Sequence, residues 1–489
     1  MNYKLVLNTL GKVMLIGVII LMLPLFVSII YGENQETSFL VPIVILLGMS
    51  IPCLMVKPKD KLMFAKEGFV IVALCWILLS LVGAIPYLIS GAIPNYIDAL
   101  FESTSGLTTT GASILSSSQI DQIYLSQKSI MFWRLFSHFI GGMGVLVFLL
   151  ALFPSESQGI IHLYRAESPG PDSSKLVSKI KRTARILYGI YLSLTLLLVI
   201  LLLFSGMGLY DSLLNAFSVA GTGGFALHGS GLGYYNSVYV EMVMAVFMVL
   251  FGINFNVYYL ILIGCISKAI KSEELRTYFI IILISTFVIA INILSSCASF
   301  LEALRYSFFQ TSSIISTTGL TNVDFGNWPS LSKAILLFLT MLGACGGSTG
   351  GGLKVSRLII LFKSGTKDFK KMVHPRAVLI TKLEGSPVSK EVERKVRSFF
   401  LLWILLLILS TILLSMDGYS NGDIFTDFSA SLTCIGNVGP GLNKVGPMYN
   451  FGGYGMFSKT VLSFVMIAGR LEIFPLLILF NPRTWRKNQ

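Results

Sequence analysis

Ten stretches of the chain are almost wholly apolar: residues 10–30, 39–56, 69–90, 130–153, 186–204, 238–263, 278–294, 331–362, 399–416 and 460–480. At about 1.5 Å of rise per residue and a hydrocarbon core of roughly 30 Å, each predicts one membrane crossing. Between paired stretches lie four shorter segments, rich in Ser, Thr and Gly and too short to cross. The loops fix the orientation. With the N-terminus inside, the two ends and alternate loops hold 30 of the 37 Lys and Arg, so both termini are expected in the cytoplasm. The hairpin at residues 31–37 carries Glu33 and Glu36 and no base, as an external loop should.

Composition agrees with this pattern. The 489 residues are 54% hydrophobic and only 12% charged, with a mean hydropathy of +0.77, which excludes an ordinary soluble protein. The net charge of +13 would suggest nucleic acid in a soluble chain, but here it follows from loop placement, and no nucleic-acid partner is expected. The first apolar run is full-length with no small-residue cleavage site after it, so it reads as a retained helix and not a signal peptide. Cys53, Cys75, Cys265, Cys297, Cys345 and Cys434 have no metal-ligand spacing and read as small core residues. His138, His162, His228 and His374 are too dispersed to suggest a site. GACGGSTGGGLK lacks the GxxxxGK[ST] pattern and lies inside an apolar stretch with no strand before it. No catalytic constellation occurs elsewhere, so no enzyme is expected.

The four short segments share a pattern. Residues 98–111, DALFESTSGLTTTG, align with 306–319, YSFFQTSSIISTTG, placing Phe101 on Phe309, Glu102 on Gln310 and Thr109-Thr110-Gly111 on Thr317-Thr318-Gly319. Residues 211–224, DSLLNAFSVAGTGG, and 426–439, TDFSASLTCIGNVG, fit the same frame more loosely. This predicts four units of span, short helix, Gly loop and span, preceded by one extra pair of spans. Regular internal repeats imply symmetric packing, and four loops around one axis make a ring. Irregular backbone at membrane depth is tolerated where it lines a water-filled cavity or is buried in protein. Carbonyl rings that replace an ion's water shell, faced by the negative ends of half-helices, are how cation filters are built.

These loops, the segment GTGGFALHGSGLGYY, the closing helix MIAGRLEIFPLLILF and the N-terminal hairpin resemble the Trk/Ktr superfamily of potassium transporters across essentially the whole chain. The extra spans resemble its larger, Trk-type membrane subunits. The resemblance implies an all-α membrane protein of ten transmembrane helices plus four re-entrant pore helices, with four pseudo-symmetric units around one pore. It also implies potassium uptake across the bacterial inner membrane, a homodimer, and gating by a cytosolic nucleotide-binding TrkA-type ring. Potassium is then the transported ion and no organic cofactor is expected. The expected divisions are an N-terminal hairpin at 1–66 and pore units at 67–165, 166–272, 273–372, which includes a gating loop, and 373–489. The hairpin is expected to buttress the pore units.

The expected filter comprises Thr109, Thr110 and Gly111; Thr222, Gly223 and Gly224; Thr317, Thr318 and Gly319; and Asn437, Val438 and Gly439. Either Gly223 or Gly224 matches the other three glycines. Without a TVGYG signature, discrimination among potassium, rubidium and sodium should be weak. The run GACGGSTGGG at 343–352 cannot form a stable helix and is expected to be a mobile loop below the filter, with Gly346, Gly347, Ser348, Thr349 and Gly350 obstructing the pore. No other span after a short helix holds such a run. Arg470, at similar depth in the last span, should face the interior and meet this loop as part of the gate; binding of loop carbonyls or pairing with Glu472 is the structural alternative. Residues 363–397 hold ten bases, which suits either anionic lipid or a docking surface, with 154–185 as a second contact. Asp98, Glu102, Asp211, Glu302, Asp423 and Asp427 surround the short helices, where they attract cations or cap helices. The expected function is potassium uptake through a gated cation pore; a proton- or sodium-coupled symporter is the alternative.

Overall fold

The computed structural model describes residues 1–58, 63–144 and 180–485. Six helices are long and apolar enough to cross a membrane: Tyr3–Tyr31, Glu36–Met55, Ala65–Ile89, Ala184–Phe204, Glu273–Ser296 and Lys390–Ser415. Two more stretches form bent pairs, Val238–Phe251 with Phe255–Leu262 at 89° and Met456–Arg470 with Phe474–Phe480 at 118°. The remaining two carry the helices Lys128–Met143 and Ser330–Leu342. Every expected crossing thus holds a helix. The end of the 130–153 stretch and most of the 154–185 loop lie outside the described residues.

The four short segments are helices Tyr96–Leu107, Leu209–Ala220, Phe300–Ile315 and Ile424–Gly436. At 12 to 16 residues they are about 18–24 Å long, too short to span. Each carries an acid in its first turn, namely Asp98, Asp211, Glu302 and Asp427, which complements the helix dipole. Asn95, Ser299 and Asp423 also cap three of them through their side chains. The first pore helix packs against Ala65–Gly83, Lys128–Met143 and, closing the circle, Met456–Arg470 of the fourth unit.

The N-terminal pair packs on itself and on the first unit. Glu33, in the turn between the first two helices, accepts from the backbone N–H of Lys128 and, at 2.9 Å, from that of Ser129. It thereby caps the helix Lys128–Met143.

The expectation of one interrupted span at 331–362 needs correction. Ser330–Leu342 stops at Gly343, and Val355–Val373 starts a separate basic, amphipathic helix. Nor is this break alone. Lys128–Met143 ends at Gly144 with φ 77°, the second unit bends at residues 252–254, and the fourth bends at 471–473, where Glu472 and Ile473 take φ 58° and 68°. The breaks meet: Cys345 N donates to Gly252 O at 3.1 Å and Phe255 N to Gly347 O at 3.0 Å. The bends in units two and four use only three residues each inside apolar sequence, so hydropathy passes over them.

Candidate functional site

All four pore helices end in the same way. The residue two before each aligned glycine is left-handed: Thr109 at φ 55°, Thr222 at 52°, Thr317 at 60° and Asn437 at 54°. The next N–H donates five residues back, from Thr110 to Ser105 O (2.9 Å), Gly223 to Ser218 O (3.0 Å), Thr318 to Ser313 O (2.9 Å) and Val438 to Thr433 O (3.0 Å). This is a Schellman closure, which satisfies the carbonyls left free at a helix end. Asn tolerates positive φ, but β-branched Thr does not, so the three threonines hold strain of about 1–3 kcal/mol each. The glycines follow at φ 77° (Gly111), 77° (Gly224), 76° (Gly319) and 104° (Gly439). Gly224, and not Gly223, is therefore the second unit's counterpart.

These loops form a closed ring. A Cβ on Gly111 would lie 2.0 Å from Gly223 O, on Gly224 1.8 Å from Thr318 O, on Gly319 1.8 Å from Val438 O, and on Gly439 2.8 Å from Thr110 O. Each glycine abuts the carbonyl preceding the next unit's glycine, in the order one, two, three, four and back to one. Asn437 Nδ2 bonds Thr110 Oγ1 across the last junction at 2.9 Å. On one side, the four glycines and the residues after them line a cavity of about 110 Å³.

The other side meets the 343–354 loop. Gly351 N donates to Thr317 Oγ1 at 2.7 Å, and a Cβ on Gly351 would lie 2.5 Å from Gly436 O. Gly346 N donates to Glu274 Oε1 at 2.7 Å, and Ser356 N donates to the same oxygen at 3.1 Å, so one buried carboxylate clamps both ends of the loop. Ser348 Oγ donates to Cys345 O at 2.7 Å, Thr349 Oγ1 to Phe251 O at 3.2 Å, and Lys354 Nζ to Gly350 O. Arg470 donates to Thr349 O at 2.8 Å, to Gly142 O at 2.9 Å and to Gly141 O. It thus joins the broken spans of units one, three and four. Glu472 pairs instead with Arg357. Loop and arginine share a second cavity with Trp76, Leu187 and Phe255.

Of two further contributors, Arg134 was not singled out in the sequence and His138 was set aside there as too dispersed to suggest a site. Arg134 is buried and donates to Glu102 Oε1 at 2.7 Å, Ala226 O at 2.8 Å and Ser113 Oγ at 3.2 Å. His138, also buried, touches Gly106 O at 2.8 Å through Nδ1 and accepts from Phe225 N at 3.2 Å through Nε2. A lone Arg inside an apolar run was a usable signal; the histidine offered none.

The six carboxylates around the pore helices all have protein partners. Asp98 pairs with Lys459 at 2.6 Å, Glu102 with Arg134, and Asp211 accepts from Tyr124 at 3.0 Å. Glu302 accepts from Ala298 N at 2.8 Å and Tyr306 at 3.0 Å, Asp423 from Thr426 at 2.6 Å, and Asp427 from Tyr454 at 2.8 Å. Glu102 is wholly buried, unlike the exposed cation attractor the sequence allowed. The basic segment 363–397 is folded: a hairpin pairs Lys382–Leu383 with Ser386–Pro387. At its turn Glu384 accepts from Ser272 Oγ at 2.8 Å and Glu273 N at 3.0 Å, next to the clamping Glu274.

The profile of the TrkH family, described as a cation transport protein, matches residues 41–487. The Trk system potassium uptake protein TrkH of Vibrio parahaemolyticus is 34% identical, over 99% of this chain and 100% of its own. Its namesake from Escherichia coli is 33% identical over the full length of both. The crystal structure of the potassium transporter TrkH from Vibrio parahaemolyticus superposes with a TM-score of 0.87, at 32% identity, over 99% of this chain and 100% of that one. All are named as transporters, not enzymes.

Proposed function

The chain belongs to the TrkH family of cation transport proteins, and from that premise we propose that it carries potassium into the cell through a gated pore. The closed ring of Gly111, Gly224, Gly319 and Gly439 carries this reading. The filter comprises the glycines and the two residues before each: Thr109 and Thr110, Thr222 and Gly223, Thr317 and Thr318, Asn437 and Val438. Four pore helices aim their negative ends at this ring, which favours a cation. Backbone selects, and without a TVGYG signature discrimination among potassium, rubidium and sodium is weak.

The gate is the loop holding Gly346, Gly347, Ser348, Thr349 and Gly350, with Arg470 as its cationic latch. Its contacts with Thr317 and Gly436 support a position directly below the filter. The protein sits in the bacterial inner membrane with both termini inside, as a homodimer, and unit boundaries fall at residues 67, 166, 273 and 373. A cytosolic TrkA-type ring grips the folded 363–397 segment, and the Glu384 turn transmits its motion through the first turn of Glu273–Ile293 to Glu274 and the loop. The engagement of all six pore-helix carboxylates favours an uncoupled pore over a symporter.

The test is rubidium uptake by proteoliposomes at clamped potential. Uptake down the rubidium gradient without a proton or sodium gradient is expected. Uptake that follows the proton or sodium gradient at fixed rubidium driving force refutes the uncoupled pore.

A further inference from the structure

The four units differ at two positions of the repeat. Units one and three place Thr108 beside Thr110 and Ser316 beside Thr318, whose hydroxyls bond at 2.8 and 2.7 Å. Units two and four lack the pair: unit four has Gly436 and Val438, whereas unit two has Gly221 and Gly223 and so no side chain at either position. Another unit fills the space. A Cβ on Gly223 would lie 2.2 Å from both Cγ and Nδ1 of His138, which projects from unit one's helix Lys128–Met143. Gly223 is not left-handed, so the imidazole, and not the backbone conformation, demands a glycine.

Both ring nitrogens are in use. Phe225 N–H is a donor only, so Nε2 accepts and the hydrogen resides on Nδ1, facing Gly106 O. The neutral ring therefore ties the last turn of the first pore helix to the residue after Gly224. Arg134, one turn earlier, holds the next carbonyl, Ala226 O, and stacks 3.8 Å from the centre of the Phe225 ring.

We propose that His138 is a positioning residue for ion selectivity: its neutral imidazole replaces the missing hydroxyl pair of unit two and sets that loop against the first pore helix. This rests on the filter reading above. It predicts that His138 and Gly223 are exchangeable as a pair.

The variants are His138→Ala, Gly223→Thr, both together, and Gly221→Ala with and without His138→Ala. Each is read by thermal unfolding in detergent and by the rubidium-to-sodium flux ratio in liposomes. Gly223→Thr alone should lower the melting midpoint, and the lowering should vanish in the His138→Ala background. Gly221→Ala should not be rescued, because its Cβ would meet the backbone oxygen of His138 at 2.2 Å. His138→Ala should remove most of the parental rubidium preference, because one buried hydrogen bond is worth about a factor of five, and the double variant should recover part of it. His138→Gln, which keeps a donor and an acceptor, should retain more of the ratio than His138→Ala. Additive melting effects of His138→Ala and Gly223→Thr, or equal ratio losses for Gln and Ala, would overturn the proposal. An unchanged ratio in His138→Ala also overturns it, and Gly319→Ala in the same assay shows where the fault lies. If Gly319→Ala shifts the ratio, only the role of His138 is wrong; if it does not, the filter reading fails and this proposal with it.

Discussion

Replacing Gly319 by Ala adds one methyl group at one of the two tightest junctions of the ring. Its Cβ would sit 1.8 Å from Val438 O and 2.7 Å from Pro440 Cδ. To reach the 3.0 Å that real Cβ contacts respect, the carbonyl must retreat by 1.2 Å, and the proline blocks one route. Gly206→Ala is the matched control, because Gly206 also has positive φ, 84°, but nothing within 4 Å. Both substitutions pay the left-handed strain of about 1–2 kcal/mol; only Gly319→Ala distorts a neighbour. If the displaced backbone costs a bound ion one charge-assisted contact, worth about 1.5–3 kcal/mol, rubidium affinity at the ring should fall roughly ten- to hundredfold, and the modest rubidium-to-sodium flux ratio of the parent should be lost. Rubidium against sodium flux in liposomes at clamped potential measures this. A Gly319→Ala protein that melts like Gly206→Ala and keeps the parental flux ratio would refute the reasoning.

Three further outcomes follow from the same geometry. Arg470→Ala frees Thr349 O, Gly141 O and Gly142 O and should raise rubidium flux in the absence of any partner; equal or lower flux at normal expression counts against a latch. Glu274→Ala orphans the N–H groups of Gly346 and Ser356, at about 1–3 kcal/mol each. Hydrogen exchange over residues 344–356 should quicken while the first pore helix stays protected, and unchanged exchange in the loop would contradict the clamp. Arg134→Met strands the buried Glu102 carboxylate, costing about 3–5 kcal/mol. The fall in melting midpoint should be partly reversed by adding Glu102→Gln; a second, additive fall would show that the pair is not the source.

The repeat was legible because the ring needs similar residues at similar spacing: Thr-Thr-Gly occurs intact at 109–111 and 317–319. The fourth unit departs in composition, yet Asn437 adopts the same left-handed turn, since Asn suits positive φ. Unit two stayed ambiguous for a physical reason. Its extra glycines answer to His138, 85 residues upstream of Gly223, and no local pattern reports such a contact. The run at 343–352 announced its break through glycine. The bends at Asn254 and at Glu472 and Ile473 did not, because so few residues turn the chain there. Arg470 drew notice as an arginine in an apolar span; Arg134 carried the same signal and was passed over. The carboxylates near the pore helices were placed correctly along the chain, but only the fold brings Lys459 to Asp98 and Arg134 to Glu102.

The central claim, that the four-loop ring holds the permeating ion, is tested most directly by diffraction at the rubidium absorption edge from crystals grown in rubidium. An anomalous peak on the axis enclosed by Gly111, Gly224, Gly319 and Gly439, absent in Gly319→Ala, is the predicted result. Ordered rubidium elsewhere in the protein, with none at the ring, would contradict the account.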